Sequence, residues 1–135
     1  TLSSSSAASD VYKRQTYASA GHPPAVLISG DCAIGDVQVQ QLKTRGAPIG
    51  MLSNTKYSSA FCQLSLPSRL IIFSDGSYEF KQPNGEFWSI EQFIELLTRH
   101  ACSKQSLAGI LTAIQQLAGT DTFEDDFSLL ELVLG

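Results

Sequence analysis

A chain of 135 residues, 43% hydrophobic and 16% charged, is one domain's worth of sequence with enough apolar material to bury a core, which excludes a disordered chain. Nine basic residues against 13 acidic ones leave a net charge of −4, the wrong sign for a general nucleic-acid binder. No run approaches the ~20 apolar residues of a membrane-spanning helix.

Residues 1–15, TLSSSSAASDVYKRQ, are serine-rich and lack the apolar stretch of a secretory signal. Their tail, SAASDVYKRQ, resembles a translated sequencing-adapter scar, so this segment is read as a non-native or disordered leader. The domain is expected over residues 16–135. Strands are expected at 16–20 and 25–29, on either side of the turn Gly21-His22-Pro23-Pro24. Residues 37–43 alternate Val, Gln, Val, Gln, the period of a half-buried strand. After the Gly/Pro loop 45–50, residues 56–64 place Ala60, Cys62 and Leu64 on one side. Leu70-Ile71-Ile72-Phe73 is a continuous apolar run, as in a strand covered on both faces, and stops at Ser74-Asp75-Gly76.

Helices follow. Ser89 and Gln92 form a capping box ahead of Ile90, Phe93, Ile94 and Leu97 at helical spacing. Ser103 is the expected cap of a second helix with the stripe Leu107, Ile110, Leu111, Ile114 and Leu117, stopped by Gly119. Residues 127–134 close the chain as an apolar strand. Five strands, two helices and a strand predict an α+β domain, with helices packed on antiparallel β-sheet layers. Cys32, Cys62 and Cys102 are odd in number and irregularly spaced, which makes neither a disulfide framework nor a zinc site. They are read as three buried thiols of a cytoplasmic protein.

Two acidic clusters sit at the ends of apolar strands: Asp75, followed by Gly76, and Glu124-Asp125-Asp126. Carboxylates buried there need neutralising, and a hard divalent cation, Mg²⁺ or Mn²⁺, suits an all-oxygen cluster. An ordinary Asp-Gly turn and a solvated acidic loop are the competing readings. Nucleophilic catalysis has little support, since no G-x-S-x-G elbow and no phosphate-cradling glycine loop occurs. His100, beside Arg99 late in a helix, is expected at the surface or helix end.

Four segments in order carry a resemblance: residues 17–27, YASAGHPPAVL; residues 46–51, GAPIGM; residues 70–79, LIIFSDGSYE; and residues 125–130, DDFSLL. Together they resemble bacterial PPM-type protein serine/threonine phosphatases of the SpoIIE/RsbU-like branch, and the resemblance covers residues 16–135. It implies a β-sandwich flanked by helices and a two-metal Mn²⁺ or Mg²⁺ centre whose water attacks phosphoserine or phosphothreonine. It makes Asp75 and Asp125 metal ligands and Asp126 a weaker, water-held group, with Gly76, Gly21 and His22 shaping the site. The implied substrate is a phosphorylated anti-anti-sigma-type regulator, with a sensory or receiver domain upstream and a role in sigma factor regulation.

Two departures accompany the resemblance. The family's first metal-binding aspartates lie upstream of the AGHPP segment, and Asp10 is no substitute for them. Ser77-Tyr78 follows Asp75-Gly76 where Val or Ile is usual. The chain is therefore expected to be the C-terminal two thirds of the domain, incomplete at the N-terminus and inactive alone. A non-catalytic phosphatase-like module that binds a signalling partner is the alternative.

Overall fold

Six strands form in the computed structural model, which describes residues 14–103 and 105–135. They are β1 (Arg14–Tyr17), β2 (Ala25–Asp31), β3 (Asp36–Leu42), β4 (Ala60–Gln63), β5 (Ser68–Phe73) and β6 (Leu129–Leu134). Two helices, α1 (Ile90–Ser103) and α2 (Leu107–Ala118), separate β5 from β6. One antiparallel sheet runs in the order β3-β2-β5-β6, and β1 pairs with β4 in a second, two-stranded sheet.

The period of two sorts the side chains of β2 and β5 into two cores. Val26, Ile28, Ile71 and Phe73 point to one face, where Phe93, Ile94 and Leu97 of α1 and Ile110 and Ile114 of α2 cover them. Leu27 and Leu42 point to the other, where they meet Cys62 and Leu64, with Tyr17, Leu70 and Leu134 packed alongside. Helices, four-stranded sheet and two-stranded sheet thus stack as layers, the α+β arrangement the element order predicts. No helix among the described residues is long and apolar enough to cross a membrane.

Several expectations are corrected. Strand β1 starts at Arg14, within the segment read as a leader, because Arg14 and Gln15 pair with Gln63 and Cys62. The Arg14 guanidinium also lies 4.2 Å from the centroid of the Phe61 ring. The rest of the leader, 1–13, lies outside the described residues. β3 alternates as expected yet is mostly exposed, because it is an edge strand that the helices do not reach. β6, the other edge, is shorter than expected and leaves Leu130 and Leu132 exposed.

The capping box forms: the Ser89 N–H donates to Gln92 Oε1 at 3.0 Å and the Gln92 N–H donates to Ser89 Oγ at 3.2 Å. Ser103 does not cap the second helix. It ends α1, its hydroxyl donating to the His100 carbonyl, and Ser106 stands at the N-cap of α2. Gly119 closes α2 as expected, in the left-handed region at φ 71°, its N–H on the Gln115 carbonyl.

His100 is not a surface residue. It is 4% exposed, and its Nε2 lies 3.6 Å from Glu131 Oε2, while Arg69 donates to Glu131 Oε1 at 2.6 Å. The cysteines are corrected too. Cys32 and Cys102 are exposed and joined by a disulfide, with Cα atoms 5.4 Å apart, because the β2–β3 turn and the end of α1 meet. Only Cys62 is a buried thiol, and burial pushes its pKa up.

Candidate active site at one end of the sheet

Antiparallel pairing decides which loops become neighbours. Ala25 opens β2 opposite Leu42, the last residue of β3, and Phe73 ends β5 opposite Leu129, the first residue of β6. Val26 pairs with Ile71, so the start of β2 lies beside the end of β5. The turn before β2, the loop after β3, the turn after β5 and the approach to β6 therefore emerge at the same end. All four motif segments share that end.

The two acidic segments are in direct contact. The Ser74 N–H donates to the Ser128 carbonyl at 3.0 Å, and the Ser128 N–H donates to Ser74 Oγ at 2.9 Å. The same Ser74 hydroxyl donates to the Asp126 carbonyl at 2.9 Å. Asp75 begins a single 3-10 turn, Asp75–Ser77, in which the Gly76 N–H donates to Asp75 Oδ1 at 3.0 Å. Gly76 is buried, and a Cβ there would run into the Asp126 carbonyl. The glycine is what lets the Asp75 turn lie against the Asp125-Asp126 backbone. On the other side, the Asp126 N–H donates to Asp125 Oδ1 at 2.7 Å.

The carboxylates themselves face outward. Asp75, Asp125 and Asp126 are exposed, as are Glu79 and Glu124, so the strand ends are buried but their charges are not. With these carboxylates at the surface, burial does not by itself call for a neutralising cation. Among the described residues no three His, Cys, Asp or Glu side chains come together as a metal-holding group. A notch of about 40 Å³ beside them is lined by Gly76, Glu79, Lys81, Glu124 and Asp125.

An aromatic cluster that sequence reasoning missed lies beneath the Asp75 turn. Tyr78 packs on Phe73 and Phe93 with ring centroids 5.9 and 6.1 Å away, and Phe93 meets Phe73 at 4.8 Å and Trp88 at 5.8 Å. The density of aromatics over residues 73–93 was its signal. Burial, then the charges of Glu79 and Asp75, push the Tyr78 pKa up.

The other two segments form a second pair. Gly21, at φ 70°, lies so close to Pro48 that a Cβ would strike the proline ring. The Ser19 N–H donates to Thr44 Oγ1 at 2.6 Å, the Thr44 N–H donates to Ser19 Oγ at 3.0 Å, and the Tyr57 hydroxyl donates to the Ala47 carbonyl at 2.9 Å. His22 is exposed, with Nδ1 3.0 Å from the carbonyl of Pro23, its own turn.

Comparison with known proteins fits this geometry. The family model of stage II sporulation protein E (SpoIIE) matches residues 7–134. Phosphoserine phosphatase RsbU of Bacillus subtilis is 29% identical over 119 residues, 87% of this chain and 34% of RsbU. Protein IcfG of Synechocystis sp. is 24% identical over 112 residues, 82% of this chain and 17% of IcfG. Among solved structures, the SiaA-PP2C domain of Pseudomonas aeruginosa superimposes with a TM-score of 0.68 at 17% identity, over 91% of this chain and 47% of that one. The phosphatase domain of the cell fate determinant SpoIIE from Bacillus subtilis gives 0.58 at 17% identity, over 87% and 49%. The chain spans about half the length of these structures, and 34% and 17% of the curated relatives RsbU and IcfG.

Proposed function

The chain belongs to the SpoIIE family, and from that premise we propose that it is the C-terminal portion, over residues 16–135, of a metal-dependent protein serine/threonine phosphatase domain. The observation that carries this reading is the packing of the Asp75-Gly76 turn on the Asp125-Asp126 backbone, at the sheet end shared with the other two motif segments.

The donor set fits a hard divalent cation in kind, since all its groups are carboxylates at one solvent-open edge. Asp75 and Asp125 would hold it, with Asp126 acting through water. When bound, Mn²⁺ or Mg²⁺ supplies an activated water and neutralises phosphoryl charge. The chain's own residues do the positioning. Backbone N–H groups orient one oxygen each of Asp75 and Asp125. Ser74 and Gly76 fix the separation of the two backbones that carry them. Gly21 and His22 shape the neighbouring turn, with His22 held to Pro23 rather than placed to move a proton. The substrate is a phosphorylated anti-anti-sigma-type regulator, which puts the protein in sigma factor regulation under a sensory or receiver domain upstream.

In the full-length protein, Asp75→Asn should lower Mn²⁺-dependent hydrolysis of p-nitrophenyl phosphate on the order of 100-fold or more. Because Asp75 is exposed, the variant should keep its thermal stability. Unchanged turnover in the folded variant would sink the metal assignment.

A second reading is favoured by one observation: among the described residues no three-group metal set exists. On that reading the domain binds a signalling partner without turnover. The genomic sequence upstream of codon 16 separates the two, since encoded metal-binding aspartates support the enzyme and their absence supports the binder.

A further inference from the structure

The Cys32–Cys102 disulfide lies at the sheet end opposite the carboxylates, closing a separation of 70 residues. Both cysteines are exposed. Beside them opens a cavity of about 460 Å³, lined also by Pro67, Ser68 and Arg69, which is room for a small molecule to reach the sulfurs. The bond is not what docks α1 on the sheet. Phe93, Ile94 and Leu97 of α1 are buried in one cluster with Val26, Ile28, Ile71 and Phe73, so the helix stays in place when the bond opens.

We propose that Cys32 and Cys102 form a reversible dithiol–disulfide site that exchanges with a low-molecular-weight disulfide of the glutathione class. In the forward direction one cysteine thiolate attacks the glutathione disulfide and expels a glutathione thiol, leaving a mixed disulfide. The second thiolate attacks the protein sulfur of that bond, forms Cys32–Cys102 and expels the second glutathione thiol. The protein pair gives up two electrons, one glutathione disulfide gains them, and both thiol protons end on the released glutathione. Exposure of both sulfurs is what thiolate attack requires, and Cys62, buried on the far face of the sheet, takes no part. Closing a loop of this length restrains the unfolded chain, so the oxidised form is the more stable one.

The unaltered 135-residue chain, equilibrated in reduced or oxidised glutathione and quenched with acid, is alkylated and peptide-mapped. In oxidised glutathione it should lose two hydrogens, with Cys32 linked to Cys102 and Cys62 alkylated only after unfolding. Dithiothreitol should then lower the Tm by about 10 °C. Separate glutathione adducts on the two residues, continued alkylation of both, or a link through Cys62 overturns the proposal. A Cys32→Ser chain controls for general effects of the reductant: its Tm should not respond to dithiothreitol, and a shift of the same size there overturns the proposal as well.

Discussion

At Gly76 the backbone of one acidic segment touches the backbone of the other, and a methyl group has nowhere to go. Gly76→Ala should therefore destabilise the fold by about 1–3 kcal/mol, read as a lower urea midpoint, and should disturb the Asp75 turn. Wild-type stability in that variant would contradict the packing. Cys62 makes a different kind of claim. Its folded pKa is raised, so the unfolded thiol, near 9.0, releases its proton first as pH rises. Its contribution is complete below pH 9 and is lost as pH climbs through the folded value. Urea midpoints at pH 8 and pH 10 should diverge less in Cys62→Ala than in the parent chain. His100 shows where residue-level reading slipped. Its neighbour Arg99 suggested a surface, but His100 follows Phe93 and Leu97 at seven and three residues, the phase of the buried stripe. Glu131 and Arg69, which face it or bridge to it, come from strands that no local pattern connects to α1.

Helix α1 is the element read most completely from sequence. Its cap, its buried stripe and its start at Ile90 all follow from local chemistry, and the structure realises each. Its role under the site was not legible, because it depends on which strand the stripe meets. Phe93 is fully buried between Phe73, Tyr78 and Trp88, so it props the segment that carries Asp75. Phe93→Ala should cost about 3–5 kcal/mol, a large share of a small domain's stability, while Phe93→Leu costs less. Chemical denaturation of both variants checks the order, and equal losses would contradict it. The second helix shows the limit of cap reading. Ser103 and Ser106 are equivalent by residue type, yet Ser103 is the last residue of α1 and it is Ser106 that adopts the extended backbone of an N-cap. Strand β3 carries the expected alternation and β6 the expected apolar residues, but both are less buried than expected, because edge position is a property of the sheet and not of the strand.

Across the whole molecule, four short motifs up to about a hundred residues apart in sequence gather at one end of one sheet. On the proposed reading, the Asp75 and Asp125-Asp126 segments supply only part of a two-metal centre, and further carboxylates come from upstream. The 135-residue chain should accordingly hydrolyse p-nitrophenyl phosphate far more slowly than a version extended upstream, assayed side by side with Mn²⁺. Comparable rates would overturn that reading. Element order, the α+β class, the family and the acidic segments are all legible along the chain, because alternation, helical period, capping and short motifs are local properties. Only the tertiary structure decided that the Asp75 turn rests on the Asp125-Asp126 backbone, that those carboxylates stay in solvent, that His100 is buried against Glu131, and that Cys32 meets Cys102. Each of these depends on how distant segments meet, set by strand register and helix docking, and none is encoded in the spacing of the residues involved.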